Sequence, residues 1–141
     1  MPTILIRIAS AAVAISVIAL LLVAASLEPH SGGLGTHQAL GLPPCSTRIL
    51  FGIRCPMCGM TTSWAHFVRA EFPSAVMANL AGTILAVFAI AVALLSMQVS
   101  WRGTLPTPDR TRQFTLGLVA VITIAITEWG LRLSPAGDWI W

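Results

Sequence analysis

The residues with the most chemistry in them fall in one short run, Cys55-Pro56-Met57-Cys58-Gly59, with a third cysteine, Cys45, ten residues upstream; the chain has no others. Two thiolates three residues apart can bind one ion, the proline fixes the turn between them, and glycine tolerates the left-handed backbone that follows. A structural zinc site takes four ligands. Cys45 supplies the third, and His30, His37 and His66 are available for the fourth. His37 precedes Cys45 across a glycine- and proline-containing turn that can fold back. His66 is about two turns up the helix that follows Cys58, and is the substitute ligand. The expected site is therefore one zinc ion on Cys45, Cys55, Cys58 and His37. Structural zinc contributes about 10 kcal/mol or more in apparent terms, against about 2–4 kcal/mol for a disulfide. For a segment with little core, that difference favours metal.

The same residues admit a redox reading. Cys55 and Cys58 sit at the start of a helix, where backbone N–H groups favour a thiolate, and Cys45 can serve as an exchange partner. No strand pattern of a thioredoxin-like fold accompanies them, and there is no second cysteine pair to relay electrons. A structural disulfide would leave one thiol over. Haem attachment through C-x-x-C needs a histidine where Gly59 stands, and an iron–sulfur cluster takes four cysteines.

The elements that must position these cysteines are set by composition. Across 141 residues, 56% are hydrophobic and only 9% charged, against roughly 25% charged in soluble domains. Three runs are long enough to cross a hydrocarbon core, which takes about 20 helical residues: about 4–27, 75–99 and 114–133. The sequence thus predicts an all-α integral membrane protein, a single membrane domain over 1–141, with three transmembrane helices. The segment 28–73 between the first two spans carries all three cysteines and all three histidines. Its first part is rich in glycine and proline and reads as turns. After Gly59, Met60, Trp64, Phe67 and Val68 recur at helical spacing, with Thr61, Thr62 and Ser63 as capping types and Pro73 as the stop. This predicts a short amphipathic helix lying at the membrane interface. The first span ends in a small-residue stretch like a signal-peptide cleavage site, but its apolar run exceeds a signal h-region and is read as an anchor.

The net charge of +3 comes from arginines scattered between spans, with no basic stripe for nucleic acid. Arg7 and the cluster Arg102, Arg110 and Arg112 favour a cytoplasmic N-terminus, which turns the cysteine segment outward. Ala78, Gly82, Ala86 and Ala93 put small residues along one side of the second span, a face that suits a partner helix. Glu128 is the single carboxylate at membrane depth, and with Trp129 and Arg132 beside it reads as an arginine-paired interface residue. Trp101, Trp139 and Trp141 read as interface anchors. A transporter role would need more polar lining than Glu128, Asn79, Thr83 and Gln98 supply.

Cys55, Pro56, Cys58, Gly59 and Thr61, followed by Ala75 and Asn79, resemble the Cys-Pro-x-Cys-Gly-x-Thr hallmark and span start of a family of small bacterial membrane proteins, the domain of unknown function 2752. The resemblance covers about the middle third of the chain. Thr62 stands where many members carry arginine, and Leu80 where many carry proline. The resemblance implies a multi-pass protein of the bacterial inner (cytoplasmic) membrane and implies no settled activity. The expected function is non-enzymatic: a membrane subunit or scaffold whose loop is organised by the zinc-type site. The alternative is a membrane thiol–disulfide oxidoreductase using the Cys55/Cys58 pair.

Overall fold

The computed structural model describes residues 2–30 and 32–133, and among these every regular element is helical. The order is α1 (Pro2–Ser26), a 3₁₀ turn (Thr36–Leu40), α2 (Ser46–Phe51), α3 (Met60–Phe67), α4 (Phe72–Ala78), α5 (Leu80–Arg102) and α6 (Pro108–Leu133). Three helices, α1, α5 and α6, are long and apolar enough to cross a membrane. Most of their large apolar side chains point outward, as lipid-facing surfaces do. Trp139 and Trp141 lie outside the described residues.

The central helix is α5. Small residues Ala81, Gly82, Ala86 and Ala93 are buried along it, and α1 makes the most extensive contact with it. α6 packs on α5 through the Phe88 and Phe114 rings, 5.4 Å apart, with Gly117 so close to Phe88 that a Cβ there would sit 3.0 Å from the ring. The face of Ala78, Gly82 and Ala86 is thus occupied by this chain's own elements. A Cβ on Gly82 would lie 3.3 Å from Met60 of α3.

α1, α5 and α6 alternate in direction, so the cysteine segment sits at one end of the bundle. It lies with the C-terminus of α1, the N-terminus of α5 and the C-terminus of α6. Arg69 joins the first of these to α3, donating to the carbonyls of Ala25 (3.0 Å) and Ala65 (2.7 Å). At the other end Arg7 lies against Gly103, the left-handed residue that ends α5.

Three local expectations are corrected. The second span begins at Leu80 and not near Ala75, because Asn79 is extended (φ −167°, ψ 110°) and breaks the chain into α4 and α5. Pro73 does not stop a helix. α3 ends at Phe67, Ala70 reverses the chain at φ 61°, and Pro73 lies in the first turn of α4, where its missing N–H costs nothing. Thr61, Thr62 and Ser63 do not cap α3, whose N-cap is Gly59. Thr62 and Ser63 instead belong to its buried face together with Ala65, while Trp64 and Phe67 stay half-exposed. Hydroxyl hydrogen bonds explain why a polar face is the inward one. Thr62 Oγ1 meets Thr36 Oγ1 at 2.8 Å, and Ser63 Oγ meets Thr83 Oγ1 at 2.8 Å and donates to the Asn79 carbonyl at 3.1 Å. Buried polar groups are tolerated when they are paired in this way.

Candidate metal centre

The site is built from a tight turn and a short helix brought against it. Cys58 N–H donates to the Cys55 carbonyl (3.0 Å) around Pro56 and Met57, with proline at the turn position its fixed φ suits. Cys55 N–H also donates to Cys58 Sγ (3.2 Å). Gly59 then leaves the turn at φ +87°, and a Cβ there would stand 2.4 Å from the Ala78 carbonyl oxygen. Both the backbone sign and the space demand glycine. Cys45 arrives at the N-terminus of α2, its carbonyl accepting from Arg48 (3.0 Å) and Ile49 (3.1 Å).

The three thiols converge. Their sulfurs all lie within 4.8 Å of one another, with Cys55 and Cys58 Sγ 3.1 Å apart. Three cysteines this close can bind a metal. Tetrahedral ligands on zinc at about 2.3 Å would be about 3.8 Å apart, so the Cys55/Cys58 pair, now at 3.1 Å, would open by about 0.7 Å to accept an ion. The thiols are half-buried and border a cavity of about 220 Å³, which His37, Arg48 and Thr62 also line.

The electrostatics of the metal-free cluster are asymmetric. A hydrogen bond from the Arg48 backbone N–H holds the Cys45 thiol down at about 6, with burial opposing and the Cys55 and Thr47 side chains assisting. Burial pushes Cys55 up to about 12, reinforced by its hydrogen bonds to Cys58 and Cys45. The first negative charge in the cluster therefore belongs on Cys45, with Cys55 kept protonated beside it.

Of the residues expected from sequence, Cys45, Cys55 and Cys58 come together. His37 shares their cavity without joining the tight sulfur cluster. His66 faces elsewhere: its Nδ1 pairs with Glu71 at 2.6 Å, and it lines a separate cavity with His30, Arg54 and Met77.

The residue whose role sequence reasoning missed is Asn79, only 1% exposed. Its Nδ2 donates to the Cys58 carbonyl (3.1 Å) and the Pro56 carbonyl (3.4 Å), and its Oδ1 accepts from Gly82 N–H. One side chain therefore caps α5 and holds the cysteine turn. An asparagine directly before an apolar run is an N-cap signal that could have marked it. A second clamp comes from α6. The Glu128 carboxylate accepts from Leu80 N–H (3.2 Å) and Ala81 N–H (3.1 Å) while paired with Arg132. A negative charge at the start of α5 is favourably placed. Trp129 Nε1 donates to the Arg54 carbonyl (2.6 Å), next to Cys55.

These features define a small three-span membrane protein whose segment between the first two spans gathers three thiols at one end of the bundle. Over residues 45–93 the chain matches a family described as "Protein of unknown function (DUF2752)", and it resembles that family through the stretch containing all three cysteines and Asn79. His37 and Glu128 lie outside the matched stretch. No curated protein and no solved structure matches the chain.

Proposed function

We propose that this protein is a non-enzymatic membrane subunit or scaffold whose cysteine segment is organised by one zinc ion on Cys45, Cys55 and Cys58, with His37 as the fourth ligand. The observation that carries the reading is the convergence of three sulfurs within 4.8 Å from two separate pieces of chain. His37 borders the same cavity, which makes it the histidine placed to turn its ring toward the sulfurs. His66 is a poorer fourth ligand because Glu71 holds it. Three thiolates and a dication leave net negative charge, which the Arg48 side chain on the cavity wall offsets. In this reading the bundle sits in the bacterial cytoplasmic membrane. Arg7, Arg102, Arg110 and Arg112 lie on the cytoplasmic side and the metal segment outside.

The test is metal content with parallel thiol counting on detergent-purified protein prepared without chelator. One zinc per chain, with thiols that react only after chelation, is the expected result. A second reading rests on the 3.1 Å approach of Cys55 and Cys58: a dithiol that cycles to a disulfide with Cys45 as exchange partner. Protein without metal, whose Cys55 and Cys58 oxidise reversibly, would overturn the zinc reading in favour of that one.

A further inference from the structure

The opposite end of the bundle holds a second concave site that shares nothing with the cysteines. Leu95, Gln98, Val99 and Arg102 recur at i, i+3, i+4 and i+7 and so form one stripe along the end of α5. With Thr104 from the following connection and Arg110 from α6 they line a cleft of about 310 Å³. Arg110 Nη1 donates to Gln98 Oε1 (3.1 Å), bridging the two helices. Arg7 reaches the same end from α1, where a Cβ on Gly103 would lie 2.7 Å from its Nε. The ion pairs among the described residues are those of His66 and Arg132, so neither Arg102 nor Arg110 is neutralised by a carboxylate there.

The geometry points to a binding site for an anionic phospholipid, with its headgroup phosphate on Arg102 and Arg110 and an acyl chain along Leu95. Two observations choose this occupant. α5 and α6 are both long and apolar enough to cross a membrane, so a cleft at their shared end sits at headgroup depth. The stripe also has apolar Leu95 at its deep end and the guanidinium of Arg102 at its outer end, the same order as acyl chain and phosphate along a phospholipid. A soluble anion would use the arginines and leave the apolar Leu95 end of the cleft without purpose. Guanidinium donors match phosphate oxygens in pairs, and basic pockets between membrane helices are known lipid headgroup sites.

Native mass spectrometry of the full chain released from nanodiscs of equal phosphatidylglycerol and phosphatidylcholine tests this. The wild-type chain is expected to retain phosphatidylglycerol in preference, and each of R102Q and R110Q to lower that preference about fivefold. R112Q, on α6 but outside the cleft, is expected to change it less than twofold. R110Q alone, at an exposed residue, decides the matter if R102Q does not fold. Unchanged selectivity in R110Q would overturn the proposal. An R112Q effect as large as that of R110Q would do the same, by making the preference one of general charge. Displacement of the lipid by millimolar inorganic phosphate would also overturn it, by making the site one for a soluble anion.

Discussion

Replacing Asn79 separates the two tasks its side chain performs. Asn79→Ala removes the cap on Gly82 N–H, worth about 1 kcal/mol, and the two donor contacts to the Cys58 and Pro56 carbonyls, worth about 1 kcal/mol each. That is about fivefold in local opening at the start of α5 and about 30-fold at the cysteine turn. Asn79→Asp is more informative. It keeps an acceptor for Gly82 N–H but turns a carboxylate oxygen toward two carbonyls, so only the cysteine turn should loosen. Hydrogen exchange followed by mass spectrometry on the chain in nanodiscs reads both events. In Asn79→Ala, the amides of Gly82 and Thr83 should exchange about fivefold faster and those of Cys58 and Met60 tens-fold faster. In Asn79→Asp, the first pair should stay protected while the second gains tens-fold in rate. If neither variant moves either pair by more than about threefold, Asn79 is not the link between span and turn. If Asn79→Asp exposes both pairs equally, the cap and the clamp are not separable as argued.

Gly59→Ala combines a left-handed backbone, costing about 1–2 kcal/mol, with a contact 2.4 Å from the Ala78 carbonyl; metal content per chain should fall well below that of wild type. A double-mutant cycle on Glu128→Gln and Arg132→Gln, read by thermal unfolding in detergent, should give a coupling of about 1–3 kcal/mol. A value near zero would mean the pair is merely adjacent. In reduced, chelator-treated protein, the alkylation rate at Cys45 should rise with pH through about 6 and then level off, because only the thiolate attacks. Cys55, pushed up to about 12, should stay slow across the same range. Site-resolved mass spectrometry after brief labelling distinguishes this from three ordinary thiols rising together near pH 8.5.

The three spans were legible because each is a run of apolar residues whose length alone separates it from a soluble helix. The cysteine turn was legible because proline and glycine flank it in positions that only a tight turn explains. The break at Asn79 was not, since hydropathy averaged over about 20 residues does not register one amide. Thr62 and Ser63 were read as caps from their type, whereas their role came from partners far off in the chain, Thr36 and Thr83. Gly82 looked like a seat for a partner helix. It is filled by Met60, a contact set by the fold of the intervening segment and not by any local spacing. The same limit applies to Glu128, whose pairing with Arg132 was readable at four residues but whose hold on Leu80 and Ala81 was not.

That hold has a consequence for how the protein is made. The cysteines leave the ribosome early, but Glu128 and Trp129 follow Cys58 by about 70 residues, which takes some 4–14 s at ordinary elongation rates of about 5–20 residues per second. Until the last span has threaded into the bilayer, the start of α5 lacks its counter-charge and the Arg54 carbonyl lacks its indole. The thiol-bearing segment is therefore delivered first and fastened last.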